Sequence, residues 1–476
     1  MRTYLRIHNF FRLLGMLVMI ATGKMALAQP FNNEWIDFSK TYYKFKVGAD
    51  GMYRITAAAL NANGLGNIPV EQLRMYRNGE EVPFYTSVPT GPLPSNGYIE
   101  FIGFANDGVP DRELYRDPQF QHRTKYSLHA DTAIYFLTIE PNQPNKRFIT
   151  RDNDVANNTL APEPYFIYKL AKDFKERINP GFAADLEQYV YSSSYDRGEI
   201  WSSNEIRQRL TRSETQSNLR VAPEGPDATL EFGAFGNTVK NRRVRLEVNG
   251  SNLYEGAMNF FNDMVTTVNV PISLISGGSA TVAFTNVQPP APPTGTDPYL
   301  DRMVISFYEL TYPRQFNFNN TRFFSFELEP KTSGHYLEIT NFNAGNAAPI
   351  LYDLENHERY VANTQVSGVF RFALPGTANK RRLVMVGQVA ASNHPYQVTT
   401  FTPKTFTDFR QPALQGNYLM ISHKQLFGGS SGNNAVEDYR DYRRSTAGGG
   451  YNAQIYDIEE LTDQFAFGIF GHPLSV

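Results

Sequence analysis

Few side chains in this sequence stand at spacings that could do chemistry. Gly428-Gly429-Ser430-Ser431-Gly432 lies between an apolar run and a helical pattern, where phosphate-binding loops lie. It lacks the Lys-Ser/Thr ending of a P-loop and the spacing of a dinucleotide fingerprint, so it reads as a flexible connector. The 8 histidines are scattered, and none forms an H-x-x-x-H or H-E-x-x-H pair. His423 and His472 fall in the C-terminal segment and, without a partner in view, read as surface residues. Asp107, Asp111 and Asp117 share one loop, and their carboxylates could take calcium. They miss the regular oxygen spacing of an EF-hand loop, which favours turn-forming and solvated roles. Calcium is therefore possible but unsupported, and no cofactor is expected. No Ser-His-Asp arrangement can be argued from spacing. Cysteine is absent, so these residues supply neither a thiol nucleophile nor a disulfide. Spacing alone assigns no catalytic, cofactor-binding or metal-ligating residue.

The start of the chain sets the expected compartment. Arg2, Arg6 and Arg12 precede an apolar stretch from Leu13 to Ala21, and Ala26-Leu27-Ala28 follows as a small-x-small cleavage site. This pattern predicts a signal peptide over residues 1–28, a mature chain from Gln29, and export to the outer-membrane surface or the extracellular space. The apolar core is too short to span a bilayer and Lys24 interrupts it, so no membrane anchor is expected. The whole chain carries 45 Lys+Arg against 47 Asp+Glu. Cleavage would remove four basic residues and no acidic ones, which leaves no electrostatic footprint for nucleic acid. A mature length of about 450 residues suggests two to four domains. The 28 Tyr, 35 Phe, 35 Gly and 29 Pro favour short strands and tight turns over helices.

The elements follow from periodicity. Tyr43, Phe45 and Val47 alternate with Tyr42, Lys44 and Lys46, which predicts a half-buried strand. Further strands at Met52–Thr56, Leu73–Tyr76, Tyr98–Phe104 and Ala133–Ile139 make residues 29–150 an N-terminal β domain, with Asn78-Gly79 as a hairpin turn. Residues 160–400 read as one or two antiparallel β-sandwiches. Their clearest signal is Val244-Arg245-Leu246-Glu247-Val248 followed by Asn249-Gly250. The run Gln288-Pro289-Pro290-Ala291-Pro292-Pro293 reads as a stiff surface loop. From Gly416 the pattern changes. Tyr418–Ile421 is a continuous apolar run, expected of a strand buried on both faces. A helix with Val436, Tyr439 and Arg443 on one side, a strand over Tyr451–Tyr456 and a helix over Ile458–Phe467 follow. Asp457 and Glu460 suggest a capping box, and Ile458, Leu461 and Phe465 an apolar stripe. Residues 416–476 thus read as the start of an α/β domain whose continuation is expected beyond Val476, on a mainly β chain.

Six stretches in order carry a resemblance. They are Asp50–Thr56, Tyr76–Pro83, Tyr98–Gly103, Ser127–Thr138, Asp297–Arg302 with Tyr312-Pro313-Arg314, and Tyr418–His423. Their order and wording resemble PorU-type proteins of the type IX secretion system, surface sortases related to gingipain cysteine peptidases. The likeness covers about residues 40–476. It implies β-rich domains ahead of a caspase-like peptidase domain with a His–Cys dyad. The activity implied is removal of the C-terminal signals of secreted cargo, with the cargo and other secretion-system surface components as partners. The family's His and Cys lie beyond the position corresponding to Val476, so no residue here inherits either role. The resemblance makes this chain the N-terminal portion of such an enzyme, inactive as given. The alternative is a non-catalytic β-rich surface adhesin or binding subunit with a vestigial tail.

Overall fold

The computed structural model describes residues 31–185, 188–192, 195–287, 301–388, 395–428 and 434–476, and side chains of 183–194 are left aside. The expected signal peptide, the Pro-rich run and most of the Gly428–Gly432 loop lie outside the described residues. So does most of the Asp297–Arg302 stretch, whose Asp301 and Arg302 are described. No helix among the described residues is long and apolar enough to cross a membrane.

The chain is mainly β, and its antiparallel sheets pair face to face. In the first pair, Thr41–Val47 sits between Thr402–Thr405 and Ala133–Ile139, with Leu73–Arg77 and Glu80–Glu81 beyond. The facing sheet orders Tyr396–Gln397, Gly51–Thr56, Tyr98–Gly103 and Tyr85–Thr86. Phe45, Ile55, Met75, Ile99, Phe101 and Leu137 fill the space between them. Two of these strands come from the far end of the chain, so the polypeptide returns to this first sandwich after building two others. Asn78 (φ 49°) and Gly79 (φ 78°) supply the left-handed pair of the expected hairpin turn. A Cβ on Gly79 would sit 3.2 Å from Trp35 and from Phe467, so the turn also needs glycine for space.

A second sandwich packs the long strand Arg302–Arg314, paired with Ala228–Gly236 and Phe166–Asp173, against a sheet ordered Thr211–Ser217, Ser279–Val287, Arg243–Val248 and Ser251–Ala257. The alternation around Val244, Leu246 and Val248 puts all three in its core with Leu230, Phe232 and Phe284. A third sandwich places His335–Phe342 and Val369–Leu374 against Phe323–Leu328, Arg381–Val386 and Ile350–Asp353. Its core is largely aromatic: the Phe318 and Phe324 rings stack at 4.0 Å, and Phe326 and Phe372 are buried with them. Met52 and Ile102 of the first sandwich share a separate buried cluster with Ile350, Tyr352 and Val384 of the third.

The last segment is built differently. Tyr418–Ser422 and Ala453–Asp457 pair in parallel, joined through the helix Ala435–Arg444 and followed by the helix Ile458–Phe465. The first strand departs from expectation. Leu419 is 64% exposed and Ile421 42%, so this apolar strand leaves a face open among the described residues. The crossover helix buries none of its residues, and its Tyr439 and Tyr442 stay exposed. Arg443 stacks between Tyr418 and Tyr451, 4.5 and 4.8 Å from the ring centres. The expected capping box is only half made. Asp457 accepts from the Glu459 N–H at 3.1 Å, whereas Glu460 turns away to accept from the Thr407 N–H at 2.6 Å.

Glu460 points to how this segment docks. The strand Thr41–Val47 is covered on both faces, because Tyr42, on its nominally polar side, is buried with Ile36, Phe136 and Phe406. Beside this cluster, Lys44 reaches the buried Asp463 of the last helix at 2.5 Å, with Lys404 3.7 Å away. Asn33 donates to Gln464 at 3.2 Å, and Gln464 donates to the Thr407 carbonyl at 3.0 Å.

Candidate functional site

Where the docked segment meets the first sandwich, a cavity of about 770 Å³ opens beside the carboxyl ends of the two parallel strands. Ligand sites in α/β sheets form at that end of the strands. The residues just past the strand ends are charged. His423 Nε2 lies 3.3 Å from Glu459, and Lys424 pairs with Asp457 at 2.9 Å. Lys44, Lys46 and Asp463 complete the polar wall. Burial pushes the Asp463 carboxyl above its usual range, against the pull of Lys44 and Lys404.

His472 forms the deep end of this cavity. It was expected at the surface, yet it is fully buried. The turn Gly468–Gly471 folds it under the first sandwich, where a Cβ on Gly468 would come within 2.7 Å of Ile134. Its Nδ1 accepts from the Leu474 N–H at 3.3 Å, capping the short helical turn Pro473–Ser475. Its Nε2 approaches Asp111 Oδ1 at 3.3 Å without making a hydrogen bond. The ring of the half-buried His129 stands at 4.8 Å from that of His472, and Tyr195 Oη lies 3.2 Å from His129 Nε2.

Asp111 also departs from expectation. It is buried rather than solvated, and its oxygens accept from Ser127 Oγ at 2.9 Å and from the Leu128 N–H at 2.7 Å. The other two acids of the loop are engaged elsewhere. Asp107 pairs with Arg77 at 2.8 Å, and Asp117 accepts from the Gln119 N–H at 2.9 Å. The three carboxylates therefore form no shared oxygen cage.

A Ser–His–Asp set that spacing could not predict does exist. His122 lies 3.2 Å from Ser306 Oγ and 3.0 Å from Asp263 Oδ2, across 184 and 141 residues of sequence. Burial opposes the Asp263 charge, but the bond to His122 and the charges of His122 and Arg197 outweigh it and hold the carboxyl below its usual range. The serine cannot act as a nucleophile in this setting. Ser306 is 2% exposed, and the His122 ring is stacked on Phe235 at 4.0 Å. Even a Cβ on Gly233 would fall 2.5 Å from Ser306 Oγ, so no substrate carbonyl fits there. The set packs the second sandwich and does not catalyse.

The phosphate reading of the Gly-rich loop gains nothing from its described end. Asn434 caps the following helix by accepting from the Glu437 N–H at 3.2 Å. The first turn carries Glu437 and Asp438, whose charges would repel a phosphate.

The fifth of the stretches quoted above holds structural side chains in both of its parts. Asp301 and Arg242, both fully buried, form a two-point ion pair, with Arg242 Nε 3.0 Å from Oδ2 and Nη2 2.8 Å from Oδ1. Arg242 also donates to the carbonyl oxygens of Met258 and Phe260. Arg314 donates to the Leu219 carbonyl at 3.0 Å and stacks over Tyr168 and Phe324. These roles fix loops of the sandwiches and touch no cavity wall described above.

No family model matches the chain, and no curated protein matches it. Among solved structures, it is similar to the dimeric latent form of PorU from Porphyromonas gingivalis, with a TM-score of 0.53 at 11% identity. That match covers 92% of this chain and 38% of the other. Carbohydrate-binding modules also match locally. One of family 36, in complex with calcium and xylotriose, has 11% identity, covers 30% of this chain and 98% of its own, and has a TM-score of 0.17. One of family 35 from Clostridium thermocellum has 16% identity, covers 31% and 90%, and has a TM-score of 0.15. Scores of that size carry no fold assignment. The likeness to PorU is one of fold, and it runs over nearly the whole of this chain and 38% of that protein.

Proposed function

We propose that this chain is the N-terminal part of a surface sortase-like cysteine peptidase of the type IX secretion system. In this reading, it is exported and supports removal of the C-terminal signals of secreted cargo. The observation that carries the reading is the fold likeness to latent PorU over 92% of the chain, with three sandwiches followed by a docked parallel β-α-β-α unit. The exposed apolar face of Tyr418–Ser422 fits the same reading, since a parallel sheet is stable only with both faces covered. The sandwiches would form the platform, and the thiol nucleophile would come from polypeptide other than these residues, which hold no cysteine.

Deletion of the gene in its native host tests the proposal. Cargo should then accumulate with its C-terminal signal uncleaved, and complementation with the intact locus should restore trimming. Normal trimming in the deletion strain, together with a loss of surface attachment or binding, would overturn the sortase reading in favour of a non-catalytic adhesin.

A further inference from the structure

We propose that Asp111, His129 and His472 form a binding site for one divalent transition-metal ion, zinc by the chemistry of its donors. Their ligand atoms lie within 4.8 Å of one another, and Asp111 and His472 are both fully buried. Two imidazoles and one carboxylate are a recurrent zinc donor set, which leaves a fourth position for another ligand. A tetrahedral site holds its donors about 3.4 Å apart at zinc–ligand distances of about 2.0–2.1 Å. The Asp111–His472 pair is already at 3.3 Å, whereas the half-buried His129, whose Nε2 meets Tyr195 Oη at 3.2 Å, has to approach from up to 4.8 Å.

Two features of the cluster go unexplained by packing alone. The first is Asp111, a buried carboxylate whose only ion-pair partner among the described residues is a histidine. A buried charge of this kind is normally matched by a cation. The second is His472 Nε2, a buried ring nitrogen with no hydrogen bond, aimed at the same carboxylate. A metal ion between them satisfies both. Coordination at Nε2 puts the ring hydrogen on Nδ1, so the Leu474 N–H that now donates there has to move away. The carboxylate has a supporting shell, because Ser127 Oγ and the Leu128 N–H orient Asp111, and Trp201 Nε1 donates to the Ser127 carbonyl at 2.8 Å. Asp111 and His129 belong to the loops of the first sandwich, and His472 to the docked C-terminal segment. The ion would therefore staple that segment to the sandwich.

The test is to strip the 476-residue chain with a chelator and titrate it with zinc chloride, reading stoichiometry by elemental analysis and affinity by calorimetry. A cobalt(II) titration of the same protein reads the coordination spectroscopically. The expected result is one zinc per chain, a visible spectrum of low-coordinate cobalt, and a rise in melting temperature on binding. His129→Gln removes one ligand from a half-exposed position that no core depends on, and should weaken binding by tenfold or more while leaving the apo melt in place. Substoichiometric zinc, an octahedral cobalt spectrum, or a His129→Gln affinity within threefold of the parent would overturn the site.

Discussion

At the scale of single residues, the strongest commitments are buried charges rather than catalytic groups. Arg242 and Asp301 are paired with no exposure to water, so removing one partner strands the other. Asp301→Ala should destabilise the second sandwich by about 3–5 kcal/mol, the cost of an orphaned buried charge. Urea denaturation followed by the fluorescence of Trp201, which sits on a strand beside that sandwich, reads the loss. Asp263 makes a pH prediction. Its folded carboxyl is held below the usual 3.8, so its contribution is present above that value and disappears as pH falls through the lowered one. The acid limb of the stability profile should therefore flatten in Asp263→Asn, with the parent losing the extra stability below about pH 4. An unchanged acid limb would show that the His122–Asp263 bond contributes nothing.

At the scale of elements, much was legible in the sequence. The strands Ala133–Ile139 and Arg243–Val248 cover the runs marked as strands at Ala133–Ile139 and Val244–Val248. The turns at Asn78-Gly79 and Asn249-Gly250 also follow from local chemistry. What was not legible depends on contacts distant in sequence. Thr41–Val47 reads as half-buried because Lys44 and Lys46 alternate with its apolar residues, but Lys44 is answered by Asp463 and Tyr42 by Phe406. Tyr418–Ser422 reads as fully buried because four apolar residues run together, yet Leu419 stays 64% exposed among the described residues. His472 and Asp111 read as solvated because neither has a local partner; each finds the other across the domain boundary. Lys44→Glu tests how far that boundary depends on charge. It sets a second acid against the buried Asp463, and should raise amide exchange over residues 453–469 roughly tenfold or more while the sandwich cores stay protected. Unchanged exchange would mean that apolar contacts alone hold the segment.

At the scale of the molecule, the three sandwiches form a continuous body onto which a small parallel unit is clamped. The clamp includes the polar groups of Lys44, Gln464, Glu460 and His472 beside the buried Leu461, Ala466 and Ile469, and it leaves the cavity at the strand ends open. In the proposed reading these residues build a scaffold, and the thiol nucleophile comes from polypeptide other than these residues, which hold no cysteine. The most direct measurement compares the 476-residue chain with the product of the intact locus on cargo bearing its C-terminal signal, each with and without a thiol-alkylating reagent. On the proposed reading, the 476-residue chain gives no cleavage, and the product of the locus gives cleavage that alkylation abolishes. Turnover by the 476-residue chain, or cleavage that survives alkylation, would contradict that reading.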